Sequence, residues 1–148
     1  MRSWPLLILL CTVWCVFADE EPKKPLIRLN PVALEFARQL IRENRLILDR
    51  KGGWRGDKPT RARENEFIRI HGLDAYAQWH LGVDSCHRNG SKAHYKFPFG
   101  DFNALHRCGL LAVKARAHEY GYAEIETAAA QLLQLLESTS PGRQKRVD

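Results

Sequence analysis

Three histidines and one aspartate are the residues whose types and positions best suit catalysis or metal binding. His71 and His80 lie near the ends of predicted helices, and Asp101 stands five residues before His106. Imidazole and carboxylate groups that converge can bind a metal ion or form a general base with its orienting partner. The spacing matches no HExxH or CxxC pattern, so the sequence assigns no metal and no cofactor. Asp101, His106 and His80 are candidates for acid/base catalysis, and no catalytic residue is assigned.

Other enzyme classes receive little support from the sequence. No GxSxG elbow, GxGxxG loop or P-loop string occurs, which argues against a serine hydrolase and against a nucleotide-dependent enzyme. Cys108 falls on the apolar face of a predicted helix, where burial would raise its pKa and make it a poor nucleophile. We therefore favour a binding protein over an enzyme, with a small extracellular hydrolase using His and Asp acid/base chemistry as the alternative.

The polar residues around the start of the fourth predicted helix suggest where a ligand would bind. The second, third and fourth predicted helices would have to pack together to bring these polar side chains to one place. The predicted function is a secreted binding protein with one polar pocket at the start of the fourth helix. The candidate pocket residues are His71, His80, Tyr95, Lys96, Asp101, His106 and Arg107.

Positive charge supports a second alternative. The formal net charge is +6, and basic residues outnumber acidic ones between Arg38 and Arg69. Arg42, Arg45 and Arg55, with Trp54 in a glycine-rich loop, are candidates for binding an extracellular polyanion, either a sulfated glycan or a nucleic acid. A solvated face whose charges pair along the helices explains the same residues, and we favour that explanation.

Apolar periodicity and capping residues predict the elements that carry these side chains. Leu105, Cys108 and Leu111 share one face of the fourth helix, which Asp101 would cap and Gly121 would end. No stretch alternates with period two, so the sequence predicts an all-α compact bundle of about five helices with no significant sheet. The five predicted helices are Asn30 to about Leu48, Arg61–His71, Asp74–Gly82, Asp101–Gly121 and Tyr122–Glu137.

Both ends of the chain are predicted to lie outside this bundle. Residues 1–18 are predicted to be a cleaved signal peptide, since a run of about a dozen apolar residues is short of the roughly 20 needed for a membrane span. An uncleaved signal anchor is the alternative. Residues 19–29 are predicted to be a flexible lead-in, residues 30–137 a single helical domain, and residues 138–148 a disordered basic tail. The expected protein is secreted and monomeric, with an extracellular protein or polyanion as its partner.

Secretion would affect the pairing of the cysteines and the glycosylation of one asparagine. Cleavage would leave Cys86 and Cys108, which either form one disulfide or stay unpaired and partly buried. Asn89, Gly90 and Ser91 form a glycosylation sequon in a predicted loop, so the protein is a candidate glycoprotein at Asn89.

Several strings along the chain carry a family resemblance. With DRKGGWR, ENEFIRIHG, AYAQWHLGVD and YKFPFGDF followed by LHRCG, the stretch from Leu29 to Leu136 resembles a group of small helical proteins, mostly bacterial, that has no established activity. The resemblance implies a helical domain and no mechanism. The signal peptide and the loop bearing Cys86 and Asn89 depart from that group. A cysteine at the HRCG position of a cytosolic relative would have no disulfide partner, which weakens the pairing of Cys86 with Cys108.

Overall fold

The computed structural model describes residues 27–139. The predicted signal peptide at residues 1–18, the lead-in as far as residue 26 and the tail from residue 140 lie outside these residues. The described part contains five α-helices and two small sheets, so the prediction of an all-α bundle is wrong. In chain order the elements are β1 (Ile27–Leu29), α1 (Pro31–Arg42), β2 (Leu46–Ile47), α2 (Trp54–Asp57), α3 (Arg61–Ala77), β3 (His80–Asp84), a 3-10 turn (Lys92–His94), β4 (Tyr95–Pro98), β5 (Leu105–His106), α4 (Arg107–Tyr120) and α5 (Ala123–Thr139).

The two sheets differ in direction. The first is antiparallel with strand order β1, β3, β4, and it pairs Leu29 with Gly82 and Gly82 with Lys96. The second consists of β2 and β5, which run parallel and pair Ile47 with His106. The parallel pair places the chain after β2 beside the start of α4, and this juxtaposition builds the site described below.

The central strand β3 overlaps the last three residues of the predicted third helix, Asp74–Gly82, and that part of the prediction is wrong. Four of its five residues are buried, so neither face shows the polar alternation that marks a half-exposed strand. The preceding α3 is interrupted at Gly72, whose φ is 83°, which confirms the predicted break there. After Ala77 the chain leaves the helix, although the rings of Tyr76 and His80 still lie 4.2 Å apart. Tyr76 and His80 are four residues apart and lie side by side, as they would on a helix, although His80 belongs to β3. This is why their spacing wrongly indicates a helix.

Helix ends follow the predicted capping residues in some places. Asn30 accepts a hydrogen bond from Ala33 N at 3.4 Å, and Gly121 ends α4 with a left-handed φ of 69°. The first helix, however, ends at Arg42 and not near Leu48. Asn44 adopts a φ of 55°, a left-handed conformation that asparagine tolerates, and the chain turns there into β2.

The predicted role of Asp101 as the N-cap of the fourth helix is wrong. Asp101 Oδ1 accepts hydrogen bonds from Asn103 N at 2.9 Å and Ala104 N at 2.7 Å, so its carboxylate closes a local turn. Helix α4 begins only at Arg107, after β5, and His106 occupies the cap position without a side-chain capping bond.

Helices α4 and α5 pack against each other, and α5 also packs against α1 and β1. The fully buried side chains of this core include Leu40, Leu81, Phe99, Leu110, Ile125 and Leu132. Within residues 27–139, no helix has the length and apolar character needed to span a bilayer.

Candidate metal centre and basic cleft

The start of α4 receives an aspartate from the segment that follows β2. Because Ile47 pairs with His106 in parallel register, Asp49 and Cys108, each two residues further along, also lie side by side. Asp49 Oδ1 accepts from Cys108 N at 2.6 Å, while Oδ2 lies 2.6 Å from His106 Nδ1 and accepts from Cys108 Sγ at 2.9 Å. Asp49 therefore supplies the helix cap that the sequence analysis assigned to Asp101.

Two further carboxylates complete this cluster. Asp57, at the end of α2, places Oδ2 3.8 Å from Cys108 Sγ and 4.0 Å from His106 Nδ1. One donor atom from each of Asp49, Asp57, His106 and Cys108 lies within 4.8 Å of the other three. On the opposite side of the imidazole, Asp101 Oδ2 is 3.6 Å from His106 Nε2. We call Asp49, Asp57, Asp101, His106 and Cys108 the polar centre.

The polar centre concentrates negative charge in a basic protein. The chain has a formal net charge of +6, yet within residues 27–139 no lysine or arginine nitrogen lies within 4.0 Å of the Asp49, Asp57 or Asp101 carboxylates. Asp49 and Asp101 are half-buried and Asp57 is exposed. Carboxylates that lose part of their water are normally paired with a cation or bound to a metal ion. Apart from the His106 imidazole, the described residues supply no such partner.

The protonation of the polar centre follows from its contacts. Burial tends to raise the pKa of Asp49, but hydrogen bonds from the Cys108 thiol, the Cys108 N–H and His106 outweigh burial and hold that pKa below its usual value. Burial and the neighbouring Asp49 carboxylate both raise the pKa of the Cys108 thiol. Without a bound cation the thiol is therefore a neutral donor to Asp49.

The His106 ring carries one nitrogen without a hydrogen-bond partner. Nε2 is buried and makes no hydrogen bond in the described chain, since 3.6 Å from Asp101 Oδ2 is too long. The hydrolase alternative requires His106 or His80 and Asp101 within about 2.6 to 3.2 Å of each other around an open cleft. His106 is only 4% exposed and its nearer carboxylate is Asp49, so the polar centre does not meet this requirement.

The other candidate histidines lie elsewhere. His71 is exposed, with its ring 4.6 Å from that of Phe67. His80 is buried, with Nδ1 2.9 Å from Tyr76 O, and burial lowers its pKa to about 4. No hydrogen bond, ion pair or ring contact within residues 27–139 joins either histidine to His106. The predicted convergence therefore holds for Asp101 and His106 but not for His71 or His80.

An open cleft of about 850 Å³ lies beside α2 and α4. Apolar and aromatic side chains form most of its walls, and four cationic side chains, Arg55, Lys58, Lys96 and Arg116, border it. We call this the basic cleft. Its remaining lining residues are Ile27, Trp54, Asp84, His87, Phe97, Pro98, Ala112, Val113, Tyr120 and Tyr122.

Positive charge in the basic cleft is only partly compensated. Asp84, the single acidic residue among the described residues that line the cleft, lies 3.0 Å from His87 Nδ1 and 3.8 Å from Lys96 Nζ. Arg55 and Lys58 have no carboxylate within 4.0 Å in the described part of the chain, and Arg116 contacts the Tyr120 hydroxyl at 3.4 Å. The cleft therefore suits a negatively charged ligand.

Trp54 separates the polar centre from the basic cleft. Its ring lies 5.8 Å from the His106 ring and also lines the cleft. A Cβ built on Gly109 would lie 2.7 Å from Phe99 O and 3.1 Å from the same indole, so glycine in α4 allows both the Phe99 backbone and Trp54 to pack closely.

The candidate basic surface does not present three free charges. Arg42 pairs with Glu35 at 3.1 Å, and Arg45 pairs with Glu43 at 3.7 Å and donates to Asn103 O at 2.8 Å. Only Arg55 of the three is without an acidic partner among residues 27–139, and it borders the basic cleft.

The remaining candidate residues occupy separate places. Tyr95 and Lys96 lie on β4, where Lys96 reaches the basic cleft. Arg107 is the first residue of α4, and its Nε is buried without a hydrogen-bond partner in the described chain. Cys86 is exposed and Cys108 is buried, and the two form no disulfide in the described structure. Asn89 is exposed, and its glycosylation stays a prediction.

Sequence reasoning missed Asp49 and Asp57. The two acids flank the glycine-rich loop that follows β2, and that was the only sequence signal available. No family model, curated protein or solved structure matches this chain. The resemblance to small bacterial helical proteins stays a prediction, and the site rests on its own geometry.

Proposed function

We propose that this chain is a single-domain binding protein whose basic cleft takes an anionic ligand with an apolar or aromatic body. The observation that carries the proposal is the pairing of mostly apolar cleft walls with Arg55 and Lys58, which have no acidic partner within residues 27–139. The 850 Å³ volume lies within the range of small-molecule pockets. Such a pocket gains affinity from apolar burial and gains selectivity from charge.

The polyanion alternative has less support. A polyanion binds through many phosphate or sulfate contacts along an extended basic surface. Arg42 and Arg45 already pair with glutamates, so only Arg55 of the candidate residues offers an unpaired charge in the described structure. Heparin chromatography distinguishes the two ligands. The polyanion would be favoured if neutralising Arg42, Arg45 and Arg55 abolished retention on heparin while neutralising Lys58 and Arg116 did not.

A pair of fluorescent probes tests the cleft. Anilinonaphthalene sulfonate is an anion with an aromatic body, and N-phenyl-naphthylamine is its neutral analogue. Because two unpaired cations face the ligand, we expect the folded protein to bind the sulfonate at least about tenfold more tightly than the neutral probe. Equal affinity for the two probes would contradict the proposal.

Variants localise the binding. The double variant Arg55→Gln with Lys58→Gln should weaken sulfonate binding about tenfold or more and leave the neutral probe unaffected. The matched control is Arg38→Gln with Arg69→Gln, which neutralises two arginines that pair with Glu35 and Glu66 outside the cleft. If the control weakens sulfonate binding as much as the cleft variant does, the probe is responding to net charge and the proposal fails.

We also propose that the protein is secreted, on the strength of residues 1–18. Expression in a eukaryotic secretory host should yield protein in the medium that begins at Asp19, and the Asn89→Gln variant should lose a glycan. Retention of an unprocessed chain inside the cell would contradict this proposal.

A further inference from the structure

The four donor groups clustered at the start of α4 form a chemically mixed set. Asp49 and Asp57 offer carboxylate oxygens, His106 an imidazole nitrogen and Cys108 a thiol. Sulfur and nitrogen ligands select zinc-like ions, whereas calcium and magnesium take oxygen ligands. We propose that Asp49, Asp57, His106 and Cys108 bind one divalent transition-metal ion of the zinc class.

The donor distances suit a tetrahedral ion. Ligands bound to zinc at about 2.0 to 2.3 Å lie roughly 3.3 to 3.8 Å from one another. Asp57 Oδ2 already lies 3.8 Å from Cys108 Sγ and 4.0 Å from His106 Nδ1. Asp49 Oδ2 lies 2.6 Å from Nδ1 and 2.9 Å from Sγ, because a proton bridges each of those contacts. Replacing the protons with an ion needs shifts of about 1 Å.

The surroundings of the donors leave room for an ion. A Cβ built on Gly53 would lie 3.1 Å from Asp57 Oδ2 and 3.8 Å from Cys108 Sγ, so glycine keeps the space beside both donors open. Asp57 is the most exposed of the four donor side chains, at 42%, which provides a way in from solvent.

Asp101 occupies the position of a supporting carboxylate. Metal-bound histidines usually donate their other ring N–H to a carboxylate or carbonyl, which fixes the tautomer and the ring orientation. His106 Nε2 is buried, has no hydrogen-bond partner within residues 27–139, and points to Asp101 Oδ2 at 3.6 Å. Asp101 is held by Asn103 N and Ala104 N through its other oxygen. It can therefore accept the Nε2 proton when Nδ1 binds the ion.

Charge and proton balance agree with this assignment. A divalent cation offsets the charge of carboxylates that have no lysine or arginine partner within 4.0 Å in the described chain. On binding, the Cys108 thiol releases one proton to solvent and the thiolate binds the ion. The His106 proton moves from Nδ1 to Nε2, and no oxidant or reductant is needed.

The test uses the full chain without an affinity tag, stripped with a chelator and titrated with Zn²⁺ against a chromophoric competitor. We expect one zinc per chain. Co²⁺ should give a near-ultraviolet thiolate-to-cobalt charge-transfer band, since Cys108 supplies the sulfur. A hundredfold excess of Mg²⁺ should not displace zinc. Failure to bind zinc, or displacement by Mg²⁺, would overturn the proposal.

Matched variants identify the donors. Cys108→Ser and Asp57→Asn should each weaken zinc binding at least tenfold, and Asp101→Asn should weaken it about 10- to 100-fold. The controls are Cys86→Ser and Asp74→Asn, which change an exposed thiol and an exposed carboxylate outside the centre. Circular dichroism of each variant in chelator checks that it folds. If folded Cys108→Ser and Asp57→Asn bind zinc as tightly as the controls do, the assignment is wrong.

Discussion

One helix, α4, borders two regions of opposite character. Its first turn lies in the polar centre, where three carboxylates surround a buried imidazole and no lysine or arginine of residues 27–139 pairs with them. Its later residues Val113 and Arg116 line the basic cleft, where cations face solvent with little compensation. A net charge of +6 conceals this division. Overall charge therefore says little about the ligand that either region would bind.

Burial makes the two regions differ energetically. An unpaired buried polar group costs free energy because it loses its water, whereas an exposed cation stays hydrated. Substitutions at buried polar groups should therefore alter stability, and substitutions of the exposed cations of the basic cleft should alter binding alone. The following four predictions test that contrast.

The largest effect should come from the buried His80. Burial lowers its pKa from 6.5 to about 4, so the unfolded chain binds a proton that the folded chain does not between those pH values. Stability should fall by about 3 kcal/mol as pH drops through that window. Urea denaturation from pH 7 to pH 4 measures it. His80→Gln should flatten the dependence of stability on pH, whereas His71→Gln, at an exposed histidine, should not. Equal pH dependence in the two variants would show that His80 is not responsible.

Asp49→Ala should produce the next largest loss. It leaves the His106 Nδ1–H and the Cys108 N–H without their acceptor, which should cost about 2 to 3 kcal/mol in the free energy of unfolding. Asp57→Ala is the control, because Asp57 is more exposed and makes longer contacts. Urea denaturation in chelator should separate the two variants by at least about 1 kcal/mol. Equal losses would mean that Asp49 does not organise the centre.

Trp54→Ala should lower stability by about 1 to 2 kcal/mol, less than a fully buried tryptophan, because its ring is half-buried. Since the indole borders both regions, the same variant should also weaken sulfonate-probe binding. Thermal denaturation and the probe titration measure the two effects. If Trp54→Ala lowered stability without weakening probe binding, or weakened probe binding without lowering stability, Trp54 would not be a wall shared by the polar centre and the basic cleft.

The smallest change in stability should follow Arg55→Gln and Lys58→Gln. Neither side chain has an ion pair within the described residues, so each variant should alter the free energy of unfolding by less than about 0.5 kcal/mol. Urea denaturation measures this. A loss above about 1 kcal/mol would break the contrast between the centre and the cleft.

Local rules account for the parts of the fold that the sequence predicts correctly. Asn30 and Thr60 cap helices through their own side chains, and Gly72 and Gly121 interrupt or end helices with positive φ. Each of these depends on a few adjacent residues. The proximity of Asp101 to His106 is also predicted correctly, because their sequence separation is small, although α4 begins at Arg107 and not at Asp101.

Long-range pairing accounts for the errors. The strand β3 is buried on both faces and lacks alternation, so nothing local distinguishes His80–Gly82 from the end of a helix. Strand β2 exists only because β5 pairs with it, and that pairing carries Asp49 to Cys108 across the fold. Periodicity within one segment cannot reveal such a partner.

The sequence by itself determined the start of α1 at Asn30, the break at Gly72, the end of α4 at Gly121 and the proximity of Asp101 to His106, since these follow from neighbouring residues. The apolar face predicted for α4 is wrong, because Leu111 is only half-buried whereas Leu110, Val113 and Ala117 are buried. The tertiary structure decided which carboxylate caps α4, which cations stay unpaired, and that Asp49 and Asp57 meet His106 and Cys108. Those outcomes depend on parallel pairing of short strands and on burial, which are properties of the packed chain and not of any one segment.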